Sequence, residues 1–147
     1  MIVYVDSSAL VRSYLLDEKN GAEIRTLLDD PEVTTISGSW TRIEVTGALF
    51  RAAKARRADL ATVNELLRRD LDPASGSLLL VDVNQADIEG RALEIVRTTG
   101  IRSMDAWHLA CASIAVSALA EPGEVLAFAT HDTDQAAIAR ELGFTVI

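Results

Sequence analysis

The sequence SMDAWHLACA, residues 103–112, opens a long and largely apolar segment that runs to about Leu119. Ser103 fits an N-cap, because its hydroxyl can accept a hydrogen bond from a free amide of the first helical turn. Asp105 would then lie in that turn, where the positive end of the helix dipole stabilises an anion. The pattern therefore predicts a helix from Met104 to about Leu119 that is buried on most sides. Asp105 either stabilises this helix or belongs to a site, and the other acids of the chain decide between the two.

Length and composition predict one globular domain covering residues 1–147. Hydrophobic residues make up 49% of the chain and charged residues 24%, which is typical of a folded protein. No apolar run is long enough to cross a bilayer, and the start lacks the charged region of a signal peptide. Cys111 is the only cysteine, so no internal disulfide can form, which favours the cytoplasm. Its place in an apolar helix predicts a buried, unreactive thiol.

The net charge limits the ways in which the protein could bind nucleic acid. Fourteen Lys and Arg residues against 22 Asp and Glu residues give a charge of −8. Such a protein does not attract a polyanion through its overall field, so RNA binding would need a local basic patch, a metal ion, or both. Solubility alone would also account for the acidic composition.

Short apolar runs alternate with amphipathic segments along the whole chain. The predicted strands are Ile2–Val5, Val33–Ile36, Leu78–Val83, Val125–Ala129 and Phe144–Ile147. Helices are predicted between them, with Asp59 and Asn84 as N-caps and Gly100 as a helix end. This alternation predicts an α/β domain with a parallel sheet of about four to five strands, covered by helices on both faces.

Four acids stand where such a sheet gathers functional groups, beyond the carboxyl ends of its strands. Asp6 and Asp132 follow predicted strands, whereas Glu44 and Asp105 lie in the first turns of helices. Each has a structural alternative, because Asp is a preferred N-cap and Thr41–Glu44 fits a capping box. Together, however, they would repel one another unless a cation lay among them. Carboxylate ligands suit Mg²⁺ or Mn²⁺ better than Zn²⁺, and such a site supports metal-assisted phosphodiester hydrolysis.

Four sequence matches give the chain a resemblance to PIN-domain ribonucleases, and in size and pattern to VapC-type toxins. They are VYVDSSAL at 3–10, RIEV at 42–45, MDAWHLA at 104–110, and THD at 130–132 followed by ARELGF at 139–144. By this resemblance Asp6 and Asp105 would be the principal Mg²⁺ ligands. Glu44 and Asp132 would complete a four-carboxylate catalytic site, with Asp134 as an alternative to Asp132.

The resemblance implies a Mg²⁺-dependent endoribonuclease, with Mn²⁺ as a substitute, acting as the toxin of a type II toxin–antitoxin pair. Its implied partners are RNA, a cognate antitoxin that places a basic side chain among the acids, and a second copy in a homodimer. Two other functions stay open. One is a non-catalytic α/β binding module whose acids are helix caps. The other is a phosphate-accepting signalling domain, which would need a late lysine, and no lysine follows Lys54.

Hydroxyl and imidazole side chains lie beside the acids in the sequence. Ser7 and Thr130 could give hydroxyl groups to the acids or to a phosphate, although Ser7 could equally cap the backbone. His108 is expected to be a buried supporting histidine rather than a general base, and His131 to point away from Asp132.

A basic cluster follows the third predicted helix. Its members are Arg51, Lys54, Arg56 and Arg57, which form either a phosphate track for RNA or a solvated helix end. Trp40 and Trp107 are expected to be buried rather than to stack on bases.

Overall fold

Five parallel strands form the single sheet of this protein, in a computed structural model that describes residues 1–147. The strands are β1 (Ile2–Val5), β2 (Thr34–Gly38), β3 (Leu79–Val81), β4 (Leu126–Ala129) and β5 (Thr145–Val146). Their spatial order is β3-β2-β1-β4-β5, and every neighbouring pair is parallel. The predicted α/β class with a parallel sheet is confirmed.

Seven helices connect and cover the strands. They are α1 (Ser7–Tyr14), α2 (Gly21–Asp29), α3 (Thr41–Lys54), α4 (Leu60–Asp70), α5 (Gln85–Thr99), α6 (Ser103–Leu119) and α7 (Thr133–Glu141). The predicted caps Asp59 and Asn84 accept hydrogen bonds from backbone amides at the starts of α4 and α5. Gly100 ends α5 with φ 71°, a left-handed conformation that glycine adopts without steric cost. None of the helices combines the length and the apolar character that crossing a membrane requires.

Two apolar cores lie on opposite faces of the sheet, as the alternation of side chains along β1 requires. Val3 and Val5 belong to the first core, which α1 to α4 cover. Ile2 and Tyr4 belong to the second core, which consists mainly of α5 and α6. All four residues of β1 are buried, which explains why this strand reads as a continuous apolar run.

Three local predictions were wrong. Ser103 is not the N-cap of α6 but its first helical residue, because Arg102 occupies the cap position and its side chain makes no capping bond. Strand β2 does not end at Ile36 but continues through Gly38, which pairs with Val81 of β3. A Cβ at Gly38 would lie 2.5 Å from the Trp107 ring. Trp40 is 44% exposed rather than buried, since it stands outside the core at the start of α3, whereas Trp107 is 8% exposed as expected.

A buried carboxylate that the sequence pattern did not indicate joins α1, α2 and α4. Asp70 is 1% exposed and accepts hydrogen bonds from the Tyr14 hydroxyl at 2.9 Å and from Arg25 at 2.7 Å. Burial alone would raise the pKa of Asp70, but the hydrogen bonds and charge of Arg25 outweigh it and hold the pKa below its usual range. The folded state therefore holds this carboxylate ionised and paired.

We expect Asp70→Ala to lower the free energy of unfolding by about 3–5 kcal/mol, because it removes the short ion pair of the half-buried Arg25 and leaves only Asp29, at 3.8 Å. Since the folded pKa is lowered, this contribution is present at neutral pH and is lost as the pH falls through the folded pKa. Urea unfolding at neutral and acidic pH measures both effects. The control is Glu65→Ala, which breaks an exposed pair with Arg68 and should leave the free energy of unfolding nearly unchanged. Equal losses in the two variants would contradict this account.

Candidate active site

The four predicted acids lie around the carboxyl ends of β1, β2 and β4. Strands β2 and β3 lie on one side of β1, and strands β4 and β5 lie on the other, so the strand order reverses direction at β1. This reversal creates a crevice beyond the ends of β1 and β4, the usual place for a site in an open parallel sheet. The Asp6 amide donates to the carbonyl of Ala129 at 2.9 Å, which fixes the start of α1 against the end of β4.

Asp6 both caps a helix and keeps one oxygen free of that role. Its Oδ2 accepts from the backbone amide of Ser8 at 2.9 Å and from the Ser8 hydroxyl at 2.5 Å. Its Oδ1 makes no hydrogen bond and lies 3.6 Å from Nε2 of His108. The side chain is only 7% exposed. The capping role and a role in a site therefore use different oxygens of one carboxylate.

Glu44 is held by two side chains from other elements. Its Oε2 accepts from the Ser7 hydroxyl at 2.7 Å and is 2.6 Å from Nε2 of His108. The capping-box alternative is wrong, because the N-cap of α3 is Trp40 and no side chain caps this helix. Burial alone would raise the pKa of Glu44, but the hydrogen bonds from His108 and Ser7 outweigh it and lower the pKa. Glu44 is therefore an ionised carboxylate held in one position.

Tyr4 lies behind His108 and orients it. The Tyr4 oxygen accepts from the amide of Gly38 at 3.0 Å and is 2.8 Å from Nδ1 of His108. An ionised Glu44 can only accept, so Nε2 of His108 carries the hydrogen between them. The expectation of a buried supporting histidine is met, since His108 is 1% exposed. The part played by Tyr4 was missed, although a phenol in an apolar strand signals that its hydroxyl needs a partner.

Asp105 lies in the first turn of α6, close enough to two other aspartates for their charges to act on it. Burial, and then the charges of Asp132 and Asp6, raise the pKa of Asp105. No side chain donates a hydrogen bond to its carboxylate. Asp134, the alternative fourth acid, is exposed on the second residue of α7 and does not perturb Asp105 in this way. The electrostatic grouping is therefore Asp6, Asp105 and Asp132.

Asp132 is positioned by a small network around a buried amide. Its Oδ1 caps α7 by accepting from the amides of Asp134 and Gln135, each at 2.9 Å. Thr130 accepts from the amide of Asp132 and donates to the side chain of Gln135. The amide group of Gln135, which is fully buried, also donates to the carbonyl of Asp105 at 3.3 Å. Thr130 thus contacts the backbone of Asp132 and not its carboxylate, and the role of Gln135 was missed.

The arrangement suits a hard divalent cation in its chemistry. The ionisable groups beside the crevice are mainly carboxylates. Asp105 bears the repulsion of Asp132 and Asp6, and the charge of Arg102 offsets the rise in its pKa only in part. No three ligand-type side chains converge tightly enough to enclose a metal ion by themselves. Mg²⁺ does not require that, since it binds through one or two carboxylates and keeps several waters. Asp6 and Asp105 are the residues that would hold it.

The predicted basic cluster contains one arginine that is paired with acids of the protein, and other cations that form no ion pair. Arg57 is paired with Asp17 and Glu18 of the α1–α2 connection. Arg56 follows α3 in a left-handed conformation, with φ 57°. Arg51 and Lys54 are exposed and form no ion pair. The charge of Arg57 is therefore compensated within the protein, whereas Arg51 and Lys54 are free to meet another molecule.

Comparison with known proteins gives one family and one fold. The family model of the PIN domain matches residues 3–141. A comparison with curated proteins finds no match. Among solved structures, the fold is similar to a toxin–antitoxin complex from Klebsiella pneumoniae, with a TM-score of 0.60 and 17% identity. The alignment covers 99% of this chain and 95% of that one, and at this identity it shows a shared fold.

We expect Asp105→Asn to raise the melting temperature of the metal-free protein slightly at neutral pH. The pKa of Asp105 is raised in the folded state, so its ionised form opposes folding and the substitution removes that cost. The gain should shrink as the pH falls and the wild-type carboxyl becomes protonated. Asp134→Asn is the control, because it removes an exposed charge that favours the α7 dipole and should leave the melting temperature equal or lower. A fall in melting temperature for Asp105→Asn would contradict the crowding of these charges.

Proposed function

This chain belongs to the PIN domain family, and on that premise we propose that it is a Mg²⁺-dependent endoribonuclease acting as the toxin of a type II toxin–antitoxin pair. Members of the family are generally nucleases that use divalent metals. The observation that carries the proposal for this chain is the grouping of Asp6, Asp105 and Asp132, in which burial and the other two carboxylates raise the pKa of Asp105. Helix capping accounts for Asp6 and Asp132 but not for Asp105, and a bound cation would relieve the repulsion among the three.

The side chains of this site have separate tasks in the proposed reaction, the hydrolysis of an RNA phosphodiester. Asp6 and Asp105 would hold the metal, and Glu44 and Asp132 would complete the acidic site. When bound, Mg²⁺ activates water and stabilises charge that develops on the phosphate oxygens. Ser7 and His108 keep Glu44 ionised and fixed through its Oε2, which leaves Oε1 available for other contacts. Fixed groups of this kind cost little reorganisation during the reaction.

The alternative of a non-catalytic binding module has one specific observation in its favour. Asp6 and Asp132 do act as N-caps, which was its central expectation. Capping does not explain Asp105, whose carboxylate caps nothing and is destabilised by its neighbours. It does not explain Glu44 either, which two buried partners hold away from the backbone. The nuclease proposal accounts for all four acids.

The proposed antitoxin would bind through the negative charge of the three neighbouring aspartates. A cognate antitoxin would place a basic side chain among Asp6, Asp105 and Asp132, which relieves their repulsion in the way that a metal would. The similar structure from Klebsiella pneumoniae is a toxin–antitoxin complex, which supports such a partner here. We also propose that the toxin acts in the cytoplasm. We further propose that it forms a homodimer, and light scattering of the purified chain would test that oligomeric state.

The cleavage assay uses a mixed-sequence RNA with Mg²⁺, and with EDTA in excess. We expect wild-type protein to cut the RNA, and EDTA to reduce cutting to background. Asp105→Asn should lower the rate by about a hundredfold or more, because it removes a charge that holds the metal. Asp134→Asn, two residues from Asp132 but exposed, should retain nearly full activity. Cleavage that continues in EDTA, or that survives in Asp105→Asn, would reject the proposed site.

Tyr4→Phe tests the support behind Glu44. Without the hydroxyl, His108 loses its Nδ1 partner, so we expect the rate to fall about 10- to 100-fold. The free energy of unfolding should fall by about 1–3 kcal/mol, because buried polar groups lose their partner. Tyr14→Phe is the matched control, since it also removes a buried hydroxyl, here bonded to Asp70, but away from the site. A similar loss of stability with normal cleavage is expected there. Equal rates in the two variants would remove Tyr4 from the mechanism.

A further inference from the structure

Strand β3 forms one edge of the sheet and is open on one side. It pairs with β2, and no strand lies on its other side. A strand at an edge presents backbone N–H and C=O groups that have no partner in the sheet. The three residues of β3 are exposed or half-buried, whereas all four residues of β1 are buried. The backbone of β3 is therefore accessible to another extended chain.

An apolar groove lies beside this open edge, on the face of the sheet that α5 and α6 cover. Its volume is about 400 Å³, and its walls come from β3, from the start of α5 and from the last turns of α6. The apolar side chains that line it include Leu79, Val81, Ile114, Ala118 and Leu119. Leu79 is 52% exposed and Leu119 49%, so the groove is open to solvent. We call the edge of β3 and these five side chains the β3 groove.

Two acids beside the β3 groove have no basic partner. Asp82 follows β3 directly, Asp87 lies in the first turn of α5, and both are exposed. Capping does not account for Asp82, because the N-cap of α5 is Asn84. The last turn of α6, which also lines the groove, has no basic residue to offset the negative end of the helix dipole. The β3 groove therefore favours a partner with positive charge.

The β3 groove is separate from the acid site. Asp105 and Leu119 lie in the first and last turns of α6, roughly 20 Å apart along the helix axis. None of the four acids lines the groove. An inference about this surface therefore does not rest on the proposed nuclease function.

We propose that the β3 groove binds an extended segment of a partner protein, in which aliphatic residues alternate with Lys or Arg. The backbone of the segment adds a strand to the open edge of β3, and its aliphatic side chains enter the groove. Val81 and Val83 pack on the same core, so Asp82 between them points to the other side of the sheet. The intervening Lys or Arg side chains of the added strand lie on that side too and can pair with Asp82.

Charge disfavours two other occupants of this surface. A second copy of the chain, bound through the same groove with two-fold symmetry, would bring Asp82 and Asp87 against the same two acids. A nucleic acid would be repelled by them and by the net charge of −8. A basic, extended protein segment instead matches the open backbone, the apolar walls and the acids together.

The test measures the binding of synthetic hexapeptides to the full chain by calorimetry. The probe is Arg-Val-Lys-Val-Arg-Val with blocked ends, and the matched control, Glu-Val-Glu-Val-Glu-Val, has the same valines and the opposite charge. We expect the basic peptide to bind at least about tenfold more tightly than the acidic one. Added salt should weaken its binding, because Asp82 and Asp87 are exposed.

Methylation of the peptide amides distinguishes strand addition from simple charge attraction. Successive N–H groups of an extended chain point in opposite directions, so only one alternate set of amides can face β3. One basic probe is methylated on its valine amides and the other on the amides of its Arg and Lys residues. We expect one of the two to bind about fivefold more weakly or worse, because two or more backbone hydrogen bonds are lost. The other should bind like the unmodified peptide.

Substitution of Ala118 tests the groove itself. Ala118→Phe fills the groove from an exposed position of α6, so peptide binding should fall about tenfold or more, the loss for one valine that is no longer buried. Ser117→Phe is the matched control, since it adds the same ring at the neighbouring exposed residue, which does not line the groove. It should bind the peptide normally.

An acid variant tests the charge without touching the core. Asp82→Asn should weaken binding of the basic peptide about twofold to fivefold, the range for one exposed ion pair. Glu141→Gln removes an exposed acid of α7 and should leave the affinity unchanged.

Four results would overturn the β3 groove as a site for a basic strand. They are equal affinity for the basic and acidic peptides, no binding of the basic peptide at millimolar concentration, equal affinity of the two methylated probes, and unchanged affinity in Ala118→Phe. A lower mass of Ala118→Phe than of the wild type in light scattering would also overturn it, and would assign the groove to a contact between copies. None of these measurements involves RNA cleavage, so they are distinct from failure of the nuclease proposal.

Discussion

The site depends on the central place of β1, which pairs with β2 on one side and with β4 on the other. With both edges hydrogen-bonded and all four side chains buried, this strand cannot shift without breaking two ladders and two cores. Asp6 follows it directly, and Tyr4 lies within it. The first acid and the support for the histidine are therefore fixed by the least movable part of the molecule.

Around that strand the protein balances two kinds of electrostatics. Glu44 is stabilised as an anion, because hydrogen bonds from Ser7 and His108 outweigh the cost of its burial and lower its pKa. Asp105 is destabilised as an anion, because burial and two neighbouring carboxylates raise its pKa. Glu44 thus has hydrogen-bond donors within the fold, whereas the carboxylate of Asp105 has none and keeps a raised pKa. The metal-dependent function proposed above would make use of this asymmetry.

Helix capping and site chemistry are combined rather than opposed here. Asp6 and Asp132 each use one oxygen to cap a helix, which fixes the direction of the other oxygen. Contacts within α3 likewise fix side chains on its outer surface. Lys54 lies over the Phe50 ring, and Arg51 folds back over Gly47. In both places a contact that is useful for stability also holds a side chain where another molecule could meet it.

The sequence by itself determined the fold class, the elements and the four acids. These depend on local signals, namely the period of apolar residues, capping residues such as Asn84, and the acids that follow strands or begin helices. The tertiary structure alone decided the partners: Glu44 with His108 instead of a capping box, Gln135 with Thr130, Asp70 with Arg25, and Arg57 with two acids. Exposure of Trp40 and extension of β2 to Gly38 likewise depend on how α3 and α6 pack. Apart from Gln135 with Thr130, these contacts join residues far apart in the chain, so no local pattern encodes them.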